Sequence, residues 1–332
     1  MVGMPLVTVF AVPKAFRGHT DVIQTNAIGS WTRLNPRPEI ILIGKDDGVA
    51  ENAKKFGVEH VPQIHRNEFG TPLLNSAFEL ANRHGTGSIL VYVNADIILT
   101  ADFMPAIEMI PFRPFLLIGR RWNLDVEFPI DFSDRNWEIA IRKLLAERGE
   151  LFIESAFDYF AFSRGTYEKI PPFAIGRFAW DYWLVLAAIR RGVTVIDGTS
   201  AITAIHQNHD YSHFPGGEIA VRNGEEAKRN IALYGIREEI STAHADYATG
   251  RSGLAQRVRS NEILRSYQEL MAQSNREYRI WRTLREGIGA SLTSLGINDN
   301  STARRTVARL YWFFFRRYQR LRSRVKDGTK VV

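Results

Sequence analysis

The feature that most constrains this chain is a run of short, continuous apolar segments separated by stretches of helical spacing. Leu6 to Val12, Glu39 to Ile43, Ser88 to Val93, Phe115 to Gly119 and Val193 to Asp197 are rich in Val, Ile and Leu and are bounded by Gly, Pro or Asp. Such runs, without polar alternation, suit strands covered on both faces. Between them, Asp21 to Leu34, Val49 to Phe56 and Pro72 to His84 repeat apolar residues at helical intervals, the second ending at Gly57. The layout predicts an α/β fold with an open, mainly parallel sheet and helices on both faces. The run Leu6 to Val12 is too short to span a membrane and is followed by Lys14 and Arg17 rather than a small-residue cleavage site, so it reads as the first strand.

Charge divides the chain unequally. Residues 221–332 hold 22 Lys and Arg against 11 Asp and Glu, a net of +11, which leaves −4 for residues 1–220. Two regions are expected: an α/β domain over 1–220 and a basic helical extension over 221–332. From about Glu218 the strand signal is expected to stop, with breaks between helical segments at Gly250 to Gly253 and at Ser291 to Thr302. The 332 residues contain no cysteine, which excludes disulfides, zinc–thiolate centres and thiol nucleophiles and fits an intracellular, cytoplasmic protein.

In open α/β sheets ligands gather beyond the carboxyl ends of the strands. The first strand runs into Ala11-Val12-Pro13, the second into Gly44-Lys45-Asp46-Asp47-Gly48 and the third into Asn94-Ala95-Asp96. Together these ends could line a nucleotide pocket. A hard divalent cation bridging a diphosphate needs only one or two protein oxygens, so a single carboxylate at Asp96 suffices. Asp96 could equally cap the turn before a helix that begins near Ala101.

These residues resemble the GT-A glycosyltransferases, in particular the family-2-like branch. Val9-Phe10-Ala11-Val12-Pro13, Asp46-Asp47 and Asn94-Ala95-Asp96 stand where that family has its first strand end, its nucleobase-holding acid and its Asp-x-Asp motif. The helix from Pro72 to His84, with Asn75, is similar to the one preceding that motif, and the resemblance covers roughly residues 5 to 210. It implies that Pro13, Asp46, Asn75, Asn94 and Asp96 contact a nucleotide-sugar donor, with Asp96 holding Mg²⁺ or Mn²⁺. The first Asp of the motif is Asn94 here, and an amide there can still hydrogen-bond a ribose or base.

The same resemblance makes Asp181 the general base. It opens a helix in Arg177-Phe178-Ala179-Trp180-Asp181-Tyr182-Trp183, followed by Gly192 and a strand, although Trp180-Asp181 replaces the usual Glu-Asp pair. A plain helix-start acid is the alternative. His206-Gln207-Asn208-His209-Asp210-Tyr211-Ser212-His213 follows the apolar run Ala201 to Ile205 and packs three His and an Asp into eight positions. His206, directly at the strand end, is the expected second metal ligand; the histidines lack the i, i+4 helical spacing of zinc hydrolases. Asp158, in the aromatic run Ser155 to Phe162, is expected with Trp180 and Tyr182 to meet the acceptor, since a sugar stacks on rings and hydrogen-bonds to acids. Core packing is the alternative for those rings.

The segment Arg304 to Lys326 places Val307, Leu310, Tyr311, Phe314, Tyr318, Leu321 and Val325 on one helical face and Arg305, Arg309, Arg316 and Arg320 on another. Such a helix suits an anionic membrane surface, peripherally at the inner face of the cytoplasmic membrane, or a homo-oligomer contact. Nucleic acid is not an expected partner, because the basic residues form no recognised nucleic-acid motif. The expectation is a glycosyltransferase moving a monosaccharide to a glycan or lipid-linked acceptor. A sugar-nucleotide pyrophosphorylase, disfavoured by the lack of a Gly-rich loop after the first strand, and a purely binding relative are the rivals.

Overall fold

The computed structural model describes residues 7–209, 221–236, 238–250 and 253–257, with positions 260, 263 and 266. The basic segment 304–326 and residues 210–213 lie outside the described residues.

A nine-stranded sheet runs in the order β13-β12-β10-β6-β9-β4-β1-β2-β3. Its members are β1 (Val7–Ala11), β2 (Glu39–Ile43), β3 (Glu59–Val61), β4 (Ile89–Val93), β6 (Phe115–Ile118), β9 (Tyr159–Ser163), β10 (Thr194–Asp197), β12 (Tyr247–Gly250) and β13 (Gly253–Gln256). β3-β2-β1-β4 and β6-β10-β12 are parallel sets. β9 runs antiparallel between β4 and β6 and joins the two sets.

Side chains alternate along each strand, and the two sets enter two separate cores. Phe10, Ile41, Leu90, Tyr92, Leu116 and Phe162 face α3 (Leu74–His84) and α6 (Trp180–Arg190), whereas Val9, Ala11, Ile40, Leu42, Val91 and Leu117 face α1 (His19–Trp31), α2 (Val49–Phe56) and α4 (Phe103–Glu108). Cover on both faces is why these strands read as unbroken apolar runs. The first core is aromatic: Phe78 stacks on Phe162 at 5.4 Å between centroids and meets Phe10 edge-on at 5.1 Å. Each such ring contributes about 1.5–3 kcal/mol by leaving water.

The strand signal does not stop at Glu218. β12 pairs parallel with β10, and β13 pairs antiparallel with β12, Gly250 opposite Gly253 where a break between helices was expected. Both strands lie at the sheet's edge and are largely half-buried or exposed, so they lack the apolar run that marks the central strands. α7 (Glu225–Tyr234) follows the basic boundary and packs against α6.

A second, four-stranded sheet has the order β5-β11-β7-β8, from β5 (Ile97–Leu99), β7 (Trp122–Leu124), β8 (Glu150–Leu151) and β11 (Ala204–Gln207). α5 (Trp137–Arg148) packs on it through Ile141 and Leu145. No helix among the described residues is long and apolar enough to cross a membrane.

Candidate active site

The small sheet assembles the site. β5 begins one residue after Asp96, and its antiparallel pairing sets His206 opposite Ile97. β11 pairs parallel with β7, His206 opposite Asn123, which brings the preceding Arg121 to the same place. Gln207, fully buried, locks the junction: its N–H and its Nε2 donate to the Asp96 carbonyl at 3.3 and 3.0 Å, Nε2 also donates to the Ile23 carbonyl at 2.7 Å, and Oε1 accepts from Asn26 Nδ2 at 2.9 Å.

Asp96, His206 and His209 present one ligand atom each, all within 4.8 Å of one another. Asp96 Oδ2 lies 3.2 Å from His209 Nε2 and 3.9 Å from His206 Nε2. Burial favours the protonated Asp96 carboxyl, but the His209 hydrogen bond and the charges of His206, His209 and Lys14 outweigh it and hold the group well below the usual carboxylate range. Burial pushes the His206 imidazolium down against the pull of Asp96, favouring the neutral ring. Asp96 Oδ1 and His206 Nδ1 are buried without a hydrogen-bond partner. Such orphaned groups cost about 1–3 kcal/mol each unless something fills them. A carboxylate, two imidazoles and two unsatisfied atoms fit a divalent cation. Asp96 and His206 lie together in space, and His209 joins them.

On the other side of Asp96 the polar groups are saturated. The antiparallel register of β4 and β9 continues past Val93 and Tyr159, so the Asn94 N–H donates to the Asp158 carbonyl at 2.9 Å. Asn94 Nδ2 donates to Asp158 Oδ1 at 2.5 Å and Arg121 Nη1 to Asp158 Oδ2 at 2.6 Å. Arg121 also donates through Nε to Asn123 Oδ1 at 3.1 Å and lies over the Phe152 ring. Asp158, 6 % exposed, is thereby engaged with Asn94 and Arg121.

Asp181 sits in the first turn of α6 and is half-buried. Its carboxyl is pushed up to about 7, first by desolvation and then by the Asp158 charge, against the hydrogen bond from the Tyr182 N–H and the attraction of Arg121. Trp180 and Tyr182 are each 5 % exposed and lie in the aromatic core, Trp180 edge-on to Tyr92 at 5.3 Å, where they offer little surface to a ligand. The residue before them, Ala179, caps the helix at φ 82°, ψ −9° and is the one non-glycine among the described residues with positive φ. A left-handed alanine is uncommon and marks stored strain beside the carboxyl.

Pro13, two residues past the end of β1, is buried and is followed by Lys14, whose backbone exchanges hydrogen bonds with the Gln24 side chain at 2.7 and 2.9 Å. Desolvation lowers the Lys14 ammonium, although the residue keeps solvent contact; Asp96 opposes the shift and Arg177 adds to it. At the β2 end, Asp46 is ion-paired with Arg66 and lines a cleft of about 450 Å³ with Ala15, Arg17, Lys45, Asp47 and Gly70. Next to it Gly48, at φ 82°, lets Phe16 approach: a Cβ there would lie 2.7 Å from Phe16 Cβ, and the Phe16 N–H donates to the Asp47 carbonyl at 2.8 Å. Asn75 lies in the first turn of α3 with its Oδ1 buried and without a partner.

Lys14, Arg66, Arg121 and Arg177 were not singled out from sequence. Lys14 carried a usable signal, since it directly follows a strand end; Arg121 did not, because a non-local pairing brings it in.

No family model matches the chain, and no curated protein matches it. The chain is similar to solved structures that include the glucosyl-3-phosphoglycerate synthase of Mycobacterium tuberculosis in complex with Mg²⁺ and uridine diphosphate, at 15 % identity over 70 % of this chain and 81 % of that one, with a TM-score of 0.41. It is also similar to the mannosyltransferase PcManGT of Pyrobaculum calidifontis in complex with GDP-Man and Mn²⁺, at 13 % identity over 95 % and 86 % of the two chains, again with a TM-score of 0.41. At such identities and scores the likeness fixes neither activity nor substrate.

Proposed function

We propose that the chain is a GT-A-type glycosyltransferase that moves a monosaccharide from a nucleotide-sugar to a hydroxyl of a glycan or lipid-linked acceptor. The observation that carries the reading is the pairing, at one end of the sheet, of a cation-ready cluster at Asp96, His206 and His209 with a separate carboxyl, Asp181, poised near pH 7. A general base works best when its pKa lies near the working pH.

The cleft beside Asp46 and Arg66 receives the nucleoside, and Lys14 offers positive charge to the diphosphate next to Asp96. Asp96, His206 and His209 would hold Mg²⁺ or Mn²⁺, which when bound neutralises the charge on the departing nucleoside diphosphate. Asp181 accepts the proton of the acceptor hydroxyl as the new glycosidic bond forms and the bond from the sugar to the diphosphate breaks. Asp158 and Arg121 hold the Asn94 end of the triplet and tune Asp181 by charge. The basic excess of residues 221–332 supports contact with an anionic membrane surface.

Release of UDP or GDP from a panel of nucleotide-sugars, with and without candidate acceptors, tests the reading. Asp181→Asn is expected to keep donor affinity and lose transfer by a factor on the order of 10² to 10⁴. Near-normal turnover in that variant would leave Asp181 as a helix-start acid and overturn its assignment as base.

A further inference from the structure

We infer that Glu226, on α7, is a positioning residue that couples two arms of the site: the hairpin beside the nucleoside cleft and the segment that leads into the Asp181 helix. The inference rests on the glycosyltransferase reading only for what the two arms do.

The coupling lies in one stripe of α7. Glu226, Asn230 and Tyr234 recur every fourth residue, so they share a helical face, and all three are buried. Glu226 takes hold of both arms at once. Its Oε1 accepts from Asn67 Nδ2 at 2.6 Å, and its Oε2 accepts from Arg177 Nε at 2.9 Å and Nη2 at 2.7 Å. One turn on, Asn230 Oδ1 accepts from the Ala174 N–H at 2.9 Å and Asn230 Nδ2 donates to the Ala174 carbonyl at 3.0 Å. A further turn on, the Tyr234 ring lies 6.0 Å from that of Tyr182, the residue after Asp181.

On the first arm, Asn67 builds the hairpin that Glu226 grips. Asn67 Oδ1 accepts from the N–H groups of Phe69 and Thr71, each at 3.0 Å, and the Asn67 N–H donates to the Thr71 carbonyl at 3.0 Å. The preceding Arg66 donates from Nη1 to the Gly70 carbonyl at 2.8 Å and is ion-paired with Asp46 in the cleft. The amide that Glu226 holds therefore sets the turn from which Arg66 meets Asp46. On the second arm, Arg177 precedes Asp181 in the same short segment, with the left-handed Ala179 between them. Arg177 Nη2 also donates to Thr71 Oγ1 at 3.3 Å, which brings the arms into contact beside Glu226.

Packing alone does not call for these groups. An apolar stripe would bury a helix face at less cost than a carboxylate, a guanidinium and two amides, whereas paired polar groups specify one register and one orientation. The Arg177 and Glu226 side chains are 9 and 8 % exposed. Burial opposes ionisation of Glu226, but the hydrogen bonds from Asn67, Thr71 and Arg177 outweigh it and hold the carboxyl below its usual range.

The experiment reads the full chain by amide hydrogen exchange and by donor kinetics, following UDP or GDP release from a nucleotide-sugar. Glu226→Gln sets an amide donor against the Asn67 amide, and Asn67→Asp sets a second carboxylate against Glu226. Made together, the two changes restore a donor facing an acceptor and leave the net charge as it was. Each single variant is expected to speed exchange in both 66–73 and 174–181, and to raise the donor KM and lower kcat about tenfold each. The double variant is expected to return exchange and both constants to within about threefold of wild type. Faster exchange in one stretch only, or a double variant as impaired as the singles, would overturn the coupling. Faster exchange in both stretches with kcat and KM unchanged would make Glu226 a structural fastener and overturn its positioning role. If a single variant unfolds, the double variant decides: wild-type exchange and kinetics uphold the inference, and unfolding overturns it. Coupled exchange with rescue, in a wild-type chain that releases no UDP or GDP, would sink the glycosyltransferase reading while the coupling of the two arms stands.

Discussion

Two carboxylates two residues and one strand apart show how differently one fold can treat the same group. Asp158 has both oxygens occupied, by Asn94 and Arg121, and is 6 % exposed. Asp96 keeps one buried oxygen without a partner beside an imidazole that is in the same state. A buried acid with both oxygens engaged is a fastener, because its hydrogen bonds offset its desolvation. Asp96, by contrast, keeps one oxygen open to a ligand. Acidity or position in the sequence cannot tell these apart; the register of β4 against β9 and of β5 against β11 does.

Removing Asp158 should have the largest effect on the fold. Asp158→Ala takes its carboxylate partner from the Arg121 guanidinium, which is 18 % exposed as a side chain, and removes the acceptor of the Asn94 amide. Breaking one partner of a buried pair costs about 3–5 kcal/mol. Chemical denaturation should show that loss, and the double variant Asp158→Ala with Arg121→Met should recover much of it. The matching change at the other end, Asp96→Ala, should abolish Mn²⁺ uptake, which Asp158→Ala should retain. Equal Mn²⁺ uptake by the two variants would erase the contrast.

Asp181 supplies a smaller effect with a pH signature. Its folded pKa of about 7 lies above the value near 3.9 of an unfolded Asp, so the folded state holds this proton more tightly. The contribution is fully present below about pH 4, declines as pH rises towards 7 and is gone above it, the carboxylate then being a desolvated charge. Asp181→Asn removes that charge, so its stability relative to wild type should grow between pH 4 and 7 by up to about 4 kcal/mol and level off beyond. Thermal melts of both proteins across that range measure it. A pH-independent difference would place Asp181 in water and remove the case for a tuned base.

The parts of this arrangement that were legible in the sequence are those set by local pattern. β1, β2, β4, β6 and β10 each fall within a residue or two of their apolar runs, and α2 matches Val49 to Phe56, because double cover and helical spacing leave marks in contiguous residues. Strand ends led to Asp46, Asn94 and Asp96, and the polar run that begins within β11 to His206. What stayed hidden is pairing at long range. Arg121 reaches the site through β7 on β11, more than eighty residues away in the chain, and the Asn94–Asp158 bond depends on an antiparallel strand inside an otherwise parallel sheet. The edge strands β12 and β13 escaped for a different reason, since half-exposed strands of four residues carry no apolar run. Trp180 and Tyr182 were read as ligand-facing from their chemistry, whereas the packing of α6 against the aromatic core decides where they point.

The smallest expected effect concerns the joint between the saturated and the reactive parts of the site. Ala179 sits at φ 82° immediately before the helix that carries Asp181, with its Cβ fully buried and its carbonyl accepting the helix bond from the Trp183 N–H at 3.1 Å. Ala179→Gly would relieve about 1–2 kcal/mol of left-handed strain. Against that stand about 0.8 kcal/mol for the buried methyl and about 0.4–1 kcal/mol for the added freedom of the unfolded chain. The three nearly cancel, and the variant should melt within about 1 kcal/mol of wild type. Ala179→Val separates strain from mere tolerance. A β-branched residue at positive φ is a true outlier, and the site has no room for two more carbons, so overpacking alone costs about 1–3 kcal/mol. If Asp181 depends on this joint for its aim, Ala179→Gly should lower kcat with little change in KM or melting temperature, because the loosened turn moves the base without disturbing donor binding. A valine variant as stable as the glycine one would show that the left-handed turn is not held under strain, and an unchanged kcat in the glycine variant would show that it does not aim the carboxylate.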